Sequence, residues 1–219
     1  MVKEKIYPLV DESVFHEACG TGFIVAHSGK PEKRILPLAL KALHRLAHRG
    51  AISADNETGD GAGILTDIPR SFFREILKED FKVKVQFRRP FGVAMVFTTR
   101  REFQWFEETA KQKAKENGFK TLAVRKVPVN ENALGKTARK FQPLIVQLFF
   151  TVARKENRSL EGRLYLLRKS IEKEIREKKK KSYICSLSSE TIVYKGLMTS
   201  TQLDCYYTDL THKKYIVKL

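Results

Sequence analysis

Between His48 and Thr66 the chain places four glycines and three acids around one short apolar run, and this density limits the folds open to it. The stretch reads His48-Arg49-Gly50-Ala51-Ile52-Ser53-Ala54-Asp55-Asn56-Glu57-Thr58-Gly59-Asp60-Gly61-Ala62-Gly63-Ile64-Leu65-Thr66. Glycines this close together mark tight turns or places where backbone approaches backbone. A dinucleotide-binding crossover needs its glycines to leave a strand and enter a long helix. Here they lead into a strand, Ala62–Thr66, which excludes that architecture.

Upstream, Ala18-Cys19-Gly20-Thr21-Gly22-Phe23-Ile24-Val25-Ala26 sets one cysteine against two glycines at the mouth of an apolar run. Taken alone, Cys19 fits either a small buried hydrophobe at a strand start or a nucleophile. Residues 1–18 have the character of an extended leader rather than a domain. Cutting before Cys19 gives one residue both a thiol and a free α-amine, a nucleophile with its own base.

Periodicity predicts the rest of the framework. A strand is expected over 19–28, then a helix opened by Pro31 with Ile35, Leu38, Ala39, Ala42, Leu43 and Leu46 as its apolar stripe. Gly50 stands where a helix stop is expected. Further strands are expected at 91–98, 121–126, 143–153, 183–187 and 191–195, the last two paired through Ser188-Ser189-Glu190. Helices are expected at 71–77, 101–116 and 161–179, with a final apolar run at Tyr215-Ile216-Val217. There is no internal repeat and no domain-scale linker. The pattern is that of an α+β domain with mainly antiparallel strands.

Composition narrows the function classes. With 219 residues, 42% of them hydrophobic and 31% charged, the chain can bury a core. No apolar run is long enough to span a bilayer, and the N-terminus lacks a secretory signal, so no membrane association and a cytoplasmic location are expected. Cys19, Cys185 and Cys205 are too few and too scattered for a disulfide framework, a zinc site or an iron–sulfur cluster. The net charge of +17 is local: residues 111–219 hold 25 Lys/Arg against 10 Asp/Glu, while residues 1–110 hold 17 against 15. Much of the excess lies in Arg163–Lys181. Without interleaved aromatic residues it reads as a solvated or partner-facing surface, and nucleic acid is not the expected partner.

The ordered motifs resemble the N-terminal class II glutamine amidotransferase domain of the glutamate synthase large subunit, an N-terminal-nucleophile hydrolase. The resemblance rests on Cys19-Gly20-x-Gly22-Phe23, His48-Arg49-Gly50-Ala51, Thr58-Gly59-Asp60-Gly61-Ala62-Gly63-Ile64 and Ile68-Pro69-x-x-Phe72-Phe73. It continues through Phe91-Gly92-Val93-x-Met95-Val96-Phe97, Val127-Pro128-x-Asn130, Leu134-Gly135, and Tyr183-Ile184-Cys185-Ser186-Leu187-Ser188-Ser189 with Thr191–Leu197. It implies a four-layer α-β-β-α sandwich, residues 1–18 as propeptide and 19–219 as amidotransferase domain. It further implies Cys19 as nucleophile toward the side-chain amide of glutamine, with Arg49 and Gly50 beside it. Asp60, in the glycine-rich motif, is expected to hold a tight turn. No cofactor is expected in this chain; FMN and iron–sulfur clusters are expected in other parts of such an enzyme, which, with glutamine, would be the chain's partners.

The resemblance also implies elements that do not occur before Leu219: an arginine motif for the glutamine carboxylate, an Asn-Gly-Glu oxyanion motif and an acid for the substrate amine. Asn117-Gly118 follows a predicted helix and reads as its stop. The sandwich is therefore expected to be incomplete, with apolar sheet surface exposed and little activity from the chain alone. The competing expectation is a catalytically incomplete interaction or regulatory subunit derived from the same domain.

Overall fold

The computed structural model describes residues 20–85, 90–153 and 159–219. Cys19 and the leader over 1–18 lie outside the described residues.

Four strands form the larger sheet: β2 (Phe91–Thr98), β3 (Phe119–Lys126), β4 (Leu144–Val152) and β5 (Tyr183–Ser188), in the order β3-β4-β2-β5. All its pairings are antiparallel. Side chains alternate across a strand, and the two faces of this sheet serve two cores. Ala94, Val96, Val146, Leu148 and Phe150 meet α3 (Phe103–Glu116) and α5 (Leu160–Glu177) through Phe106, Ala110, Leu164, Leu167 and Ile171. Phe91, Val93, Met95, Ile145 and Phe149 face the other way. Both faces are covered, which is why β2 and β4 read as nearly continuous apolar runs.

On that second face lies a smaller antiparallel sheet of β1 (Ala62–Asp67) and β6 (Thr191–Gly196), paired from Ala62↔Gly196 to Asp67↔Thr191. Its Ile192 and Tyr194 join a core shared with α1 (Ile35–Arg45) and α2 (Arg70–Glu79), which supply Leu36, Leu40, Phe72, Phe73 and Leu77. Two antiparallel sheets with helical layers are the arrangement expected of the α-β-β-α sandwich.

Several details depart from the sequence reading. β5 and β6 form, but each pairs in a different sheet, so Ser188-Ser189-Glu190 is a crossing between sheets and not a hairpin turn. Glu161 of α5 explains the crossing. It accepts hydrogen bonds from the Ser188 hydroxyl at 3.0 Å and from the Ser189 amide and hydroxyl at 2.5 Å each. The Ser188 hydroxyl in turn accepts from the Glu190 and Thr191 amides.

The segment after Gly20 is not a strand. Its ladder contact is reduced to Ala26 N–H donating to the Lys218 carbonyl at 2.8 Å, and Phe23 is 85% exposed. Among the described residues no strand lies beside it, and an apolar alternation without a neighbouring strand has nothing to bond to. α1 starts at Ile35 rather than Pro31, and it turns Leu36 and Leu40 inward while Leu38 stays exposed. Two overlapping leucine stripes were available, and packing against the Tyr215–Val217 region selects one. Two short helices, α4 (Lys136–Lys140) and α6 (Leu203–Tyr206), are too brief for a period to reveal.

Phe23, Ile52, Leu65 and Leu197 are exposed apolar side chains, of which Leu65 lies in a strand. On the basic helix Arg168 and Lys169 share Glu172, while its Glu174 pairs with Lys113 of α3. Lys180 lies over the Trp105 ring at 5.2 Å. No helix among the described residues is long and apolar enough to cross a membrane.

Candidate active site

The glycine-rich stretch folds into a short loop whose position is fixed from both sides. Within it, Ser53 N–H donates to the Thr58 carbonyl at 2.8 Å and Asp60 N–H to the Ala51 carbonyl at 3.1 Å. Asp55 closes the turn. Its carboxylate accepts from the Ser53 hydroxyl (2.8 Å), the Glu57 and Thr58 amides (3.0 and 2.7 Å), the Thr58 hydroxyl (2.6 Å) and, from α4, the Thr137 amide (3.0 Å). This is the arrangement by which an aspartate replaces backbone turn bonds. The acid that holds the turn is therefore Asp55, where the sequence reading had assigned Asp60.

The same bonds, with the Thr58 hydroxyl first, hold the Asp55 carboxyl well below the usual carboxylate range, although burial opposes them. A depressed carboxyl contributes stability above the unfolded value of about 3.9 and loses it as pH falls through the folded value. Asp55→Asn is accordingly expected to lower the melting temperature at pH 7, with the gap to the parent shrinking below about pH 4. Thermal unfolding at pH 7 and pH 3 checks this; an unchanged gap would contradict it.

Gly59 holds the loop against the chain's far end. A Cβ there would stand 2.6 Å from the Met198 carbonyl carbon and oxygen and from the Thr199 nitrogen. Gly61 follows with φ at +149°, a conformation that excludes ordinary side chains. On the other side of the loop, α1 ends at Arg45, and a 3₁₀ turn over Ala47–Arg49 carries the chain to Gly50. Gly50 is extended (φ −96°, ψ 142°), so it is not the left-handed helix stop expected from sequence. A Cβ there would meet Asp60 Oδ1 at 3.4 Å, an ordinary contact, so Asp60 stands directly beside Gly50.

These segments enclose an open cavity of about 310 Å³. Gly20, Arg49, Gly50 and Asp60 line it, together with Thr199 and Ser200. The structure thus brings Arg49 and Gly50 to one cavity with the residue bonded to Cys19. The Arg49 guanidinium makes no hydrogen bond or ion pair among the described residues and is therefore not spent on capping helix carbonyls. Thr199 and Ser200 were missed by sequence reasoning. They arrive through β6 from about 140 residues away, and no local pattern marks them. Asn117-Gly118, as expected, ends α3, with Gly118 at φ +74°.

Residues 19–219 match the model of the class II glutamine amidotransferases, and the chain belongs to that family. It is 38% identical over 205 residues to the glutamate synthase [NADPH] large chain of Bacillus subtilis (strain 168), covering 92% of this chain and 13% of that protein. It is 37% identical over 203 residues to the ferredoxin-dependent glutamate synthase of Pyropia yezoensis, with 91% and 13% covered. For ferredoxin-dependent glutamate synthase 1, chloroplastic/mitochondrial, of Arabidopsis thaliana, identity is 37% over 214 residues, with 90% and 12% covered. The chain thus spans about an eighth of the length of these relatives.

Proposed function

We propose that the chain is the glutamine-hydrolysing part of a glutamate synthase and that Cys19 is its nucleophile once residues 1–18 are removed. The observation that carries this reading is the cavity at Gly20, lined by Arg49 and Gly50, in a chain of the class II amidotransferase family. The domain division into a leader over 1–18 and an amidotransferase domain over 19–219 belongs to the same proposal.

The chemistry follows from the two groups on one residue. An α-amine with an ordinary pKa of about 7.7–8.0 is substantially neutral near pH 7.5. It takes the thiol proton, and the thiolate attacks the side-chain amide carbon of glutamine. The resulting ammonium returns that proton to the departing nitrogen, so ammonia leaves and a thioester remains. Water then releases glutamate and the free thiol. Arg49 and Gly50 form the wall beside the nucleophile.

The ammonia would serve glutamate formation from 2-oxoglutarate elsewhere in such an enzyme, with the remaining synthase domains or subunits as partners. FMN and iron–sulfur clusters belong, in this reading, to those parts. Among the described residues no group of three or more His, Cys, Asp or Glu could hold a metal ion. The cytoplasm is the proposed compartment.

Incubation of the purified chain with glutamine, alone and with the remaining synthase parts, tests the function. Glutamate release is expected to fall by well over 100-fold in Cys19→Ala, since loss of a catalytic nucleophile costs up to about 10⁶ in rate. Release that persists in Cys19→Ala, or that is absent even with every partner present, would overturn the reading.

A further inference from the structure

A second open cleft, of about 560 Å³, lies between α1 and the segment that follows α6. It shares no lining residue with the cavity at Gly20. One wall is a face of α1, with Pro37, Lys41 and His44, extended by Lys33 in the turn ahead of the helix. The facing wall is residues 210–213 with Tyr215 and Ile216. Leu36, Leu40 and Tyr215 form the floor and are buried, so the cleft rests on the core shared by α1 and the smaller sheet. Pro37 is exposed and Ile216 half-buried, which leaves an apolar strip between charged rims.

The charges of the cleft are unbalanced. Asp204 is the one acid among the described residues lining it, and His44 already engages it, Nε2 donating to Oδ1 at 2.9 Å. Lys33, Lys41 and Lys213 are exposed, and their ammonium groups make no ion pair among the described residues. The neighbouring acids are spent elsewhere. Glu32, beside Lys33, holds Arg34 at 2.8 Å, and Glu75 of α2, close enough to act on His212 and Lys213, is bonded to Lys214. From Ile35 to Lys41 the helix rises about 9 Å, at 1.5 Å per residue, with Lys33 beyond that span and Lys213 on the opposite wall. One small carboxylate does not bridge such a spread, and it would leave the apolar strip uncovered.

We propose that this cleft is a docking site for an acidic, amphipathic segment of a partner protein. Carboxylates of the segment meet Lys33, Lys41 and Lys213, while its apolar side chains cover Pro37 and Ile216. Opposite potentials steer such a segment to the cleft and fix its register, and covering the apolar strip removes it from water. A nucleic acid strand fits less well, because it needs exposed rings on which bases stack, and Tyr215 lies buried in the floor. The proposal does not depend on the role of Cys19.

The test uses the full chain and a short fluorescein-labelled peptide of Glu with Leu at every third position, its binding read by fluorescence anisotropy. Exchanging Glu for Gln in the peptide is expected to weaken binding about tenfold or more, and so is the double change Lys41→Glu with Lys213→Glu. Lys120→Glu with Lys140→Glu alters the net charge equally at exposed positions outside the cleft. That variant is expected to bind within about twofold of the parent, since charges beyond a screening length matter little. Pro37→Glu sets a carboxylate into the apolar strip at a first helical turn, where an acid is well tolerated, and is also expected to weaken binding. Circular dichroism checks that each variant is folded.

Equal weakening by the two double variants would mean attraction by net charge alone and would overturn the proposal, as would a peptide that does not bind. Citrate that displaces the peptide at the peptide's own concentration would reassign the cleft to small anions, and oligothymidylate that does so would reassign it to nucleic acid; either result contradicts a protein segment as the occupant.

Discussion

The Gly59→Ala chain is expected to melt about 10 °C below the parent. The new Cβ would stand 2.6 Å from three backbone atoms of Met198 and Thr199, and backbone in a strand-flanking turn cannot swing aside as a long side chain can. Overpacking of this kind costs about 3 kcal/mol, occasionally more, and in a domain of this size each kcal/mol shifts the midpoint by about 2–4 °C. Gly22→Ala is the matched control, since a Cβ there meets nothing within 4 Å. It is expected to melt within about 2 °C of the parent, the range of an uninvolved surface substitution. Circular dichroism during heating reads both. Equal melting of the two variants would show that the loop does not press on the far end of the chain.

The second large effect belongs to the polar group buried between the sheets. Arg125 of β3 makes a bidentate ion pair with Asp209, at 2.7 and 2.8 Å, and the side chains are 11% and 3% exposed. The Tyr194 hydroxyl donates to the same carboxylate at 3.0 Å, and Gln147 accepts from Arg125 while donating to Tyr194 at 3.2 Å. Every member of this network is satisfied, so removing one leaves an uncompensated charge. Arg125→Met is expected to destabilise the fold by about 3–5 kcal/mol. Pairing it with Asp209→Leu should cost less than the two single changes together, because the double variant buries no orphan charge. Denaturant unfolding of the four chains measures the coupling; strictly additive losses would mean that the pair is not a unit.

What the sequence made legible follows from period and length. β2 and β4 could be placed because they are long, nearly unbroken apolar runs, and α3 and α5 because each keeps one helical repeat over 14 or more residues. The separation of β5 from β6 could not be read, because Ser188-Ser189-Glu190 has the composition of a turn. The residue that redirects it, Glu161, lies 27 and 28 positions away from the serines it binds. The segment after Gly20 has strand composition, but among the described residues its one backbone bond to a distant segment is that of Ala26 to Lys218, and composition does not supply neighbours.

At the site, Arg49 and Gly50 were implied by the family resemblance alone, and both line the cavity. The roles of the two aspartates were not separated, though a signal existed. Asp55 precedes Thr58 by three residues, the spacing of a side chain that caps its own loop, whereas Asp60 has glycine on both sides and nothing local to bind. Thr199 and Ser200 reach the cavity only because β6 pairs with β1, a long-range fact.

The account turns on Cys19 carrying a free amine beside its thiol. A peptide thioester ligates stably only to a cysteine that has both, so intact-mass analysis of the purified chain after exposure to such a probe is the most direct test. The predicted result is a chain lacking residues 1–18 that gains a single probe mass mapped to Cys19. A chain that keeps Met1 through Ala18 and takes up no probe would contradict the account.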